Sequence, residues 1–353
     1  MEGGRLRNQL LTLTSVGILY VLLYLASQHL SDYQVRILNN GAIFITLAVS
    51  YNLINGITGQ FSLEPNAFVA IGAYTSALLT LSPAEKEISF IIEPIIWPLS
   101  VIQVSFLWSL VAAGIVTAFL GFLMGFPVFR VRGDYLAIVT LGFGEVVRSV
   151  ANNLQTVTNG PLGLKALHNY TNLWWAWGFA AITVFFIVRL VASSYGLAMK
   201  AVREDEVAAE AMGINAFRTK LLAFTTSAFF EGVAGGLLAH LITTISPTLF
   251  TFFLTFNLLI IIVSGGLGST TGAVIGALLF AFGGEWLRVV EEPMTIGSLQ
   301  IPGIPGMRMV VFSIVLIFLM IFARHGIMGR REFSWDWLLG RSPVSRVFRG
   351  GDK

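Results

Sequence analysis

The stretch LNNGAIFITLAVSYNLINGITGQFSLEPNAFVAIGAYTSALL (Leu38–Leu79) consists of two apolar runs with a polar interruption between them. The interruption, NGITGQFSLEP, contains two glycines, a carboxylate and a proline. Glycine and proline end helices, and the residue before a proline avoids the helical conformation. The pattern predicts two short helices joined by a broken segment, and the surrounding sequence decides what environment they occupy.

The composition is that of a membrane protein. Of the 353 residues, 55% are hydrophobic and 12% are charged, whereas soluble domains have about 25% charged residues. The apolar runs have the length of roughly 20 residues that a helix needs to cross a bilayer core of about 30 Å. Because these runs are uninterrupted rather than alternating, they indicate helices and not barrel strands. We therefore predict an all-α, polytopic bundle that forms a single transmembrane domain over residues 1–353.

Ten crossings are predicted, and eight or nine remain possible because the glycine-broken pairs are short enough to be re-entrant. The first run follows Arg5 and Arg7 like a signal sequence, but it has no clear cleavage site and is interpreted as a retained helix. The predicted spans are residues 10–28, 38–55, 66–81, 98–125, 135–152, 173–191, 219–242, 250–264, 271–288 and 307–323.

The distribution of Lys and Arg predicts that both termini are cytoplasmic, because short cytoplasmic loops are enriched in these residues. Sixteen fall on the inner side and five on the outer side. The inner set is Arg5, Arg7, Arg130, Arg132, Arg189, Lys200, Arg203, Arg218, Lys220, Arg324, Arg330, Arg331, Arg341, Arg346, Arg349 and Lys353, and the outer set is Arg36, Lys86, Lys165, Arg288 and Arg308. Residues 324–353 thus form a basic cytoplasmic tail.

Metal and cofactor chemistry is not expected. The chain has no cysteine and its four histidines are scattered, so neither a disulfide nor a thiolate metal site can form. No phosphate-binding loop of the form GxxxxGK[ST] occurs. If ATP drives this protein, another subunit must bind it.

One long charged loop, residues 193–220, lies on the predicted cytoplasmic side. It is rich in helix formers from Leu197 to Met212, and Gly213 ends the pattern as a C-terminal glycine does. The loop is either a solvated helical connection or a coupling helix that fits a groove on a cytoplasmic partner.

Five motifs in order resemble the permeases of branched-chain amino-acid type ABC transporters, and in particular the larger permease subunit. They are NLINGITGQFSL (Asn52–Leu63), AFVAIGAY (Ala67–Tyr74), RVRGDYLAIVTLGFGEVVRSV with TNGPLGL (Arg130–Val150, Thr158–Leu164), AEAMGINAFRTKLLAF (Ala209–Phe224) and GGLGSTTGAVIGA (Gly265–Ala277). The resemblance covers roughly residues 38–325. It implies a permease subunit in the inner membrane, in contact with lipid and without nucleic acid or enzymatic activity of its own.

The resemblance also implies partners: a second permease subunit, two ATP-binding subunits, an external solute-binding protein and an amino-acid substrate. By the same resemblance, Ala209–Lys220 would dock on the ATPase. The expected coupling residues are Arg203, Glu204, Glu206, Ala209, Glu210, Ala211, Gly213 and Lys220.

Two carboxylates depart from the family pattern. Glu64-Pro65-Asn66 stands where the family usually has Gly followed by a small residue or His, and Glu231 stands where a small apolar residue is expected. A carboxylate in the middle of a span is costly and should face the bundle interior. Both acids are candidates for recognition of an ammonium group. The alternatives are a hydrated loop carboxylate for Glu64 and a protonated, structurally bonded acid for Glu231.

Short spans broken by glycine are good indicators of a substrate path in transporters. Their unwound backbone exposes polar groups, and their helix N-termini attract anions. The predicted path residues are Gly56, Thr58, Gly59, Gln60, Ser62, Glu64, Glu231, Gly265, Gly266 and Gly268.

Three other functions compete with import of branched-chain or neutral amino acids by an ABC permease. Relatives of the family import urea or short amides. An ion-coupled secondary transporter would need no ATPase-docking helix. A membrane enzyme is disfavoured because no HExxH or GxSxG motif occurs.

Overall fold

A computed structural model describes residues 2–90, 92–130, 135–286, 294–296 and 299–301, with isolated positions between 307 and 333. Thirteen helices and one hairpin are present in this part of the chain. They are α1 Glu2–His29, α2 Asp32–Asn52, α3 Pro65–Thr80, α4 Pro83–Ser89, α5 Phe106–Val128, α6 Tyr135–Asn153, α7 Gln155–Thr158, α8 Leu173–Val191, α9 Ser194–Glu204, α10 Glu206–Ala211, α11 Ala216–Ile242, α12 Phe252–Gly265, α13 Thr270–Trp286, β1 Met294–Ile296 and β2 Leu299–Ile301.

The predicted all-α class is confirmed. Five helical segments among the described residues are long and apolar enough to cross a membrane: Asp32–Ile57, Phe106–Val128, Leu173–Val191, Ala216–Ile242 and Pro247–Gly265. Helices α3 and α13 have 16 and 17 residues, fewer than the roughly 20 that a full crossing requires. The predicted span 307–323 lies mostly outside the described residues, as does the tail 324–353. A total of ten crossings stays a prediction.

Helices α2 and α11 form the centre of the bundle. In their most apolar windows 78% and 72% of the residues are buried, compared with 39% and 28% for α5 and α8. Glycines let α3 and α11 pack with their backbones in contact. A Cβ added at Gly72 would lie 2.1 Å from the carbonyl oxygen of Gly232, and one at Gly235 would lie 2.2 Å from that of Val69. Without a hydrophobic driving force in lipid, such close packing holds helices together.

The loops segregate to two ends of the bundle. At one end, the segment after α2 meets the segment after α12, since the Asn52 side chain donates to the carbonyl of Ser269 at 3.1 Å. At the other end, the Leu164 N–H donates to the Ile245 carbonyl at 2.9 Å, and Asn159 Nδ2 donates to the Ser89 carbonyl at 3.0 Å. In these places, segments that the charge pattern assigns to the same side lie together.

Several helix starts differ from the predicted spans. The helices α1 and α2 begin at Glu2 and Asp32, earlier than the predicted residues 10 and 38. The predicted span 98–125 begins as a helix only at Phe106, after the extended residue Ser105, and residues 98–105 belong to the connecting loop.

Candidate functional site

The polar interruption in the opening stretch is a break between α2 and α3. The helix widens into a π-helical turn at Leu53–Ile57, and residues 58–64 are not helical. Gly59 has φ +72°, a conformation that suits glycine. Pro65 then begins α3 at its first position, where its missing N–H costs nothing. The predicted break is confirmed, and we call residues 56–64 the first break.

Polar side chains next to the first break bond to its backbone and fix its shape. The amide of Asn55 accepts from the Ser62 N–H at 2.9 Å and donates to the Ser62 carbonyl at 3.2 Å. The Tyr51 hydroxyl donates to the same carbonyl at 2.6 Å. The Leu63 N–H donates to Thr140 Oγ1 of α6 at 2.9 Å. Asn55 was not among the predicted site residues, although an amide side chain just before a glycine turn is a recognised turn signal.

Glu64 and Glu231 both lie in the interior beside the last turn of α2, and neither residue has any exposed surface. The Tyr51 hydroxyl of α2 donates to the carbonyl of Ser62 just before Glu64, and the Ser227 hydroxyl that contacts Glu231 donates to the carbonyl of Ser50. Among the described residues, neither carboxyl oxygen of Glu64 has a hydrogen-bond partner, and Glu231 Oε2 has none either. The structure thus contains a buried acid pair without a partner cation in its described surroundings.

The alternative of a hydrated loop carboxylate for Glu64 is wrong, because Glu64 has no exposed surface even though Phe61 in the same break is 54% exposed. Glu231 has a hydrogen-bonding contact with α11 itself: its Oε1 lies 2.9 Å from the hydroxyl of Ser227. That hydroxyl also lies 2.7 Å from the Ser50 carbonyl. A serine has one proton to donate. If it donates to Ser50, the contact with Glu231 requires a proton on the carboxyl group.

The second break, residues 265–269 between α12 and α13, is held by the chain that follows it. The carbonyls of Ser264 and Gly265 accept from the amides of Ile327 and Met328 at 2.9 and 3.0 Å. The N-terminus of α13 binds a carboxylate, as expected for a half-helix. That carboxylate belongs to Glu332, which accepts from the Thr270 and Thr271 amides at 2.6 and 3.0 Å.

The two breaks are in direct contact. A Cβ added at Gly56 would lie 2.3 Å from the amide nitrogen of Gly268. Asn52 joins the breaks, since its Oδ1 accepts from that amide at 3.0 Å and its Nδ2 donates to Ser269. Gly266 contacts Gly329 instead. The predicted path residues therefore form two groups: the glycines of both breaks at one end, and the acid pair deeper in the bundle.

Gln60 lines a cavity of about 230 Å³ between the first break and the charged loop 193–220. Its other walls come from Gly59, Phe61, Leu136, Ala137, Glu206 and Lys220. Thr58 turns away from this cavity, and its hydroxyl donates to the Leu53 carbonyl at 2.8 Å. The cavity connects residues that were predicted for the path with residues that were predicted for coupling.

The expected continuous helix from Leu197 to Met212 is divided at Asp205. This residue is extended (φ −159°, ψ 113°), and its side chain accepts from the Ala208 N–H at 2.9 Å to begin α10. Aspartate favours such N-cap positions over helix interiors. Gly213, at φ +85°, ends the unit as predicted.

The coupling residues face in different directions. Glu206 pairs with Lys220 at 2.5 Å, and Ala209 lies on the buried face of α10. Glu204, Glu210, Ala211 and Gly213 are on the exposed side. Three large apolar side chains of this charged loop are also exposed, with Leu197 at 64%, Val207 at 69% and Met212 at 83%.

Comparison with known proteins identifies the family. Residues 33–322 match the family described as the permease component of branched-chain amino acid transport systems. The chain belongs to this family. It is 34% identical over 295 residues to the high-affinity branched-chain amino acid transport system permease protein LivM of Salmonella typhimurium and of Escherichia coli. The permease is also 26% identical over 316 residues to LivH of Salmonella typhimurium.

The aligned regions cover most of this permease but less of its LivM relatives. The alignment covers 73% of this chain and 65% of each LivM protein. For LivH the shares are 83% and 93%. No solved structure matches the chain.

Proposed function

We propose that this chain is the permease subunit of an ATP-driven importer that carries branched-chain or other neutral amino acids across the inner membrane. A second permease subunit, two ATP-binding subunits and an external solute-binding protein complete the transporter. The transport of branched-chain amino acids for which the LivM and LivH relatives are named supports this substrate class. The contacts around the acid pair and the cytoplasmic loop support a role for each.

The acid pair is proposed to bind the ammonium group of the substrate. This proposal depends on one observation: Glu64 and Glu231 are fully buried, and both carboxyl oxygens of Glu64 and Oε2 of Glu231 have no hydrogen-bond partner among the described residues. Two buried carboxylates that lack counter-charges are strongly unfavourable. When no substrate is bound, a proton on one carboxyl group reduces this unfavourable free energy. When substrate is bound, its ammonium group reduces it. Every amino acid carries such a group, whereas urea does not.

The cytoplasmic loop is proposed to dock on the ATPase through α10 and the turn after it. Val207 and Met212 are large, apolar and exposed on a segment whose other residues are small or charged. Exposed apolar side chains rimmed by charges are typical of protein–protein contacts. Glu204 and Glu210 provide the charged rim, while Gly213 keeps the turn tight. The Glu206–Lys220 pair holds the base of α10 against α11.

The experiment measures uptake by the complete transporter in proteoliposomes, with Glu64→Gln and Glu231→Gln as variants. Leucine is compared with 2-hydroxy-4-methylpentanoate, in which a hydroxyl replaces the amino group. Each variant should lower leucine uptake about tenfold or more, since charge-assisted bonds are strong in a buried site. Each should also reduce the discrimination against the hydroxy acid. Glu145→Gln is the matched control, because Glu145 is 44% exposed and bonded to Arg148.

The outcomes separate the competing functions. Unchanged uptake and selectivity in both variants would reject ammonium binding by the pair. Preferential uptake of urea or short amides would assign the amide-importing branch of the family. Uptake by the permease without its ATPase subunits would instead identify an ion-coupled transporter.

A further inference from the structure

Arg203, in the last turn of α9, points into the protein and away from the exposed face of the loop. Its side chain is 18% exposed. Nη1 donates to the carbonyl of Gly56 in the first break at 3.1 Å. Nε and Nη2 donate to Glu204 at 3.1 and 2.6 Å. The guanidinium group therefore connects the cytoplasmic loop with an unwound turn of a membrane helix.

Both breaks leave space for this one side chain. A Cβ added at Gly59 would lie 2.4 Å from Arg203 Cγ, and one added at Gly268 would lie 2.9 Å from Arg203 Nη1. The aliphatic stem thus passes over Gly59, and the guanidinium lies against Gly268. Glycine at these two positions has a packing reason in addition to its positive φ angle. Arg203 is the point at which the loop contacts the two breaks together.

The neighbouring residues of the loop face a different way. Only Glu204, the last residue of α9, and Asp205, in an extended conformation, separate Arg203 from α10. Val207 on α10 is exposed, whereas Arg203 is largely covered. A displacement of α10 by a partner would therefore act on Arg203 across two residues. A contact of this kind can transmit motion if it has two discrete arrangements.

We propose that Arg203 is a positioning residue for transport, which holds the two glycine breaks together at rest and releases the Gly56 carbonyl when the ATPase moves α10. This inference rests on the proposed ATPase docking, and it is independent of ammonium binding by the acid pair. Release would free a backbone carbonyl and loosen the wall of the cavity next to Gln60. The cytoplasmic end of the path would then open toward Ser62 and Glu64.

Ser62 provides a reporter for such opening. The chain has no native cysteine, so a single introduced thiol can be followed without removing others. Ser62 is fully buried, and its hydroxyl has no hydrogen-bond partner in the part of the chain that the structure describes. Ser62→Cys therefore changes one atom and loses no known bond. Its alkylation by a membrane-impermeant maleimide, added to the cytoplasmic side, measures exposure of the first break.

In the assembled transporter, Arg203→Ala should raise the alkylation rate of Ser62→Cys about tenfold, because a bond to a charged donor is lost. Uptake per ATP hydrolysed should fall by about the same factor. Arg203→Lys should have a lower alkylation rate and a higher uptake per ATP than Arg203→Ala, since an ammonium group can still reach one carbonyl. Lys200→Ala, on the preceding turn of α9, is the matched control and should change neither.

Three results would overturn the proposal. The first is that Ser62→Cys is alkylated at the same rate with Arg203→Ala as with the native Arg203. The second is that Arg203→Ala leaves uptake per ATP hydrolysed unchanged. The third is that Arg203→Ala loses the ATPase subunit while the complexes that remain assembled have unchanged uptake per ATP, which would make Arg203 a docking residue. If Arg203→Ala fails to assemble, Arg203→Gln and Arg203→Lys are tested in the same way. Absence of ATP-dependent uptake by the wild-type protein would refute the proposed function instead, while alkylation could still be measured.

Discussion

The two glycine breaks have similar sequences but different surroundings. Both interrupt a membrane helix, and each is followed by a helix that contains Ile-Gly-Ala. At the second break, the carbonyls of Ser264 and Gly265 and the amides of Thr270 and Thr271 are bonded to residues 327–332. At the first break, the Ser62 hydroxyl and both Glu64 oxygens lack hydrogen-bond partners among the described residues.

This difference separates a structural break from a functional one. A buried polar group without a partner costs about 1–3 kcal/mol, so a chain that keeps several together gains something other than stability from them. The second break binds its own carboxylate, Glu332, where a ligand would otherwise lie. At the first break, the Ser62 hydroxyl and the Glu64 carboxyl oxygens can still form hydrogen bonds, and Glu231 is a second buried acid in the same region. Substrate contact is therefore expected at the first break, and anchoring at the second.

The largest expected effect comes from the place where the breaks touch. In Gly56→Ala the added methyl group would lie 2.1 Å from Asn52 Oδ1 and 2.3 Å from the Gly268 nitrogen. Overpacking of backbone against backbone should cost about 3 kcal/mol of unfolding free energy. Thermal unfolding in detergent measures the loss. Gly142→Ala in α6 is the control, because nothing lies within 4 Å of its Cβ position. If Gly56→Ala were as stable as Gly142→Ala, the two breaks would be able to separate freely.

Asn52→Ala should have the next largest effect. The substitution leaves the Gly268 amide and the Ser269 carbonyl without the partners that Asn52 gives them at 3.0 and 3.1 Å. Loss of this buried bridge should cost about 2 kcal/mol. Asn153→Ala removes an exposed bond to the Ser149 carbonyl and should change stability by less than about 0.5 kcal/mol. A small loss at Asn52 would mean that the breaks are held together by other contacts, of which Arg203 is the first candidate.

The sequence predicted each break but not their contact. Glycine, proline and the length of the apolar runs are local signals, and they located residues 56–64 and 265–268 correctly. The contact between Gly56 and Gly268 joins positions more than 200 residues apart, and no local pattern encodes it. The division at Asp205 of the helix predicted from Leu197 to Met212 was missed for a different reason. Ala, Glu and Lys favour one continuous helix, and a single N-cap aspartate outweighed them.

The site residues illustrate the same limit. The cost of a carboxylate in a span predicted that Glu231 faces the interior, and its burial is confirmed. Nothing in the sequence indicated that Glu64 is buried in the same region. Arg203 was predicted as an ATPase-coupling residue, and nothing in the loop sequence indicated that its side chain turns toward the interior. Its bond to the Gly56 carbonyl depends on the tertiary arrangement of α9 over the first break.

The same change at two acids should have opposite effects on stability. Glu64→Gln removes a charge that has no bonded partner, so stability should stay equal or rise by up to about 1 kcal/mol. Glu332→Gln weakens the carboxylate cap on α13 and should cost about 1 kcal/mol. Unfolding midpoints of the two variants, measured side by side, check this. A loss above that size in Glu64→Gln would show that Glu64 supports the fold and would weaken its assignment as a ligand group.

The smallest expected effect concerns Glu85, a capping acid at the opposite end of the bundle. The Ser82 N–H donates to its carboxylate at 2.8 Å, the Ser82 hydroxyl at 2.9 Å and His168 Nε2 at 2.8 Å. These donors, with the Ser82 amide foremost, lower the pKa of Glu85 below its ordinary value.

A lowered pKa means that the stabilising contribution of Glu85 is present above the unfolded pKa and is lost as pH falls through the folded one. Glu85→Ala should therefore cost about 0.5–1 kcal/mol at neutral pH, and the difference should shrink between about pH 5 and about pH 3. Unfolding midpoints across that range test it, with Glu87→Ala on the exposed side of the same helix as the control. A pH-independent difference would mean that packing of the Glu85 side chain, and not its charge, stabilises α4. Glu85 would then differ from Glu332, whose carboxylate charge is expected to matter.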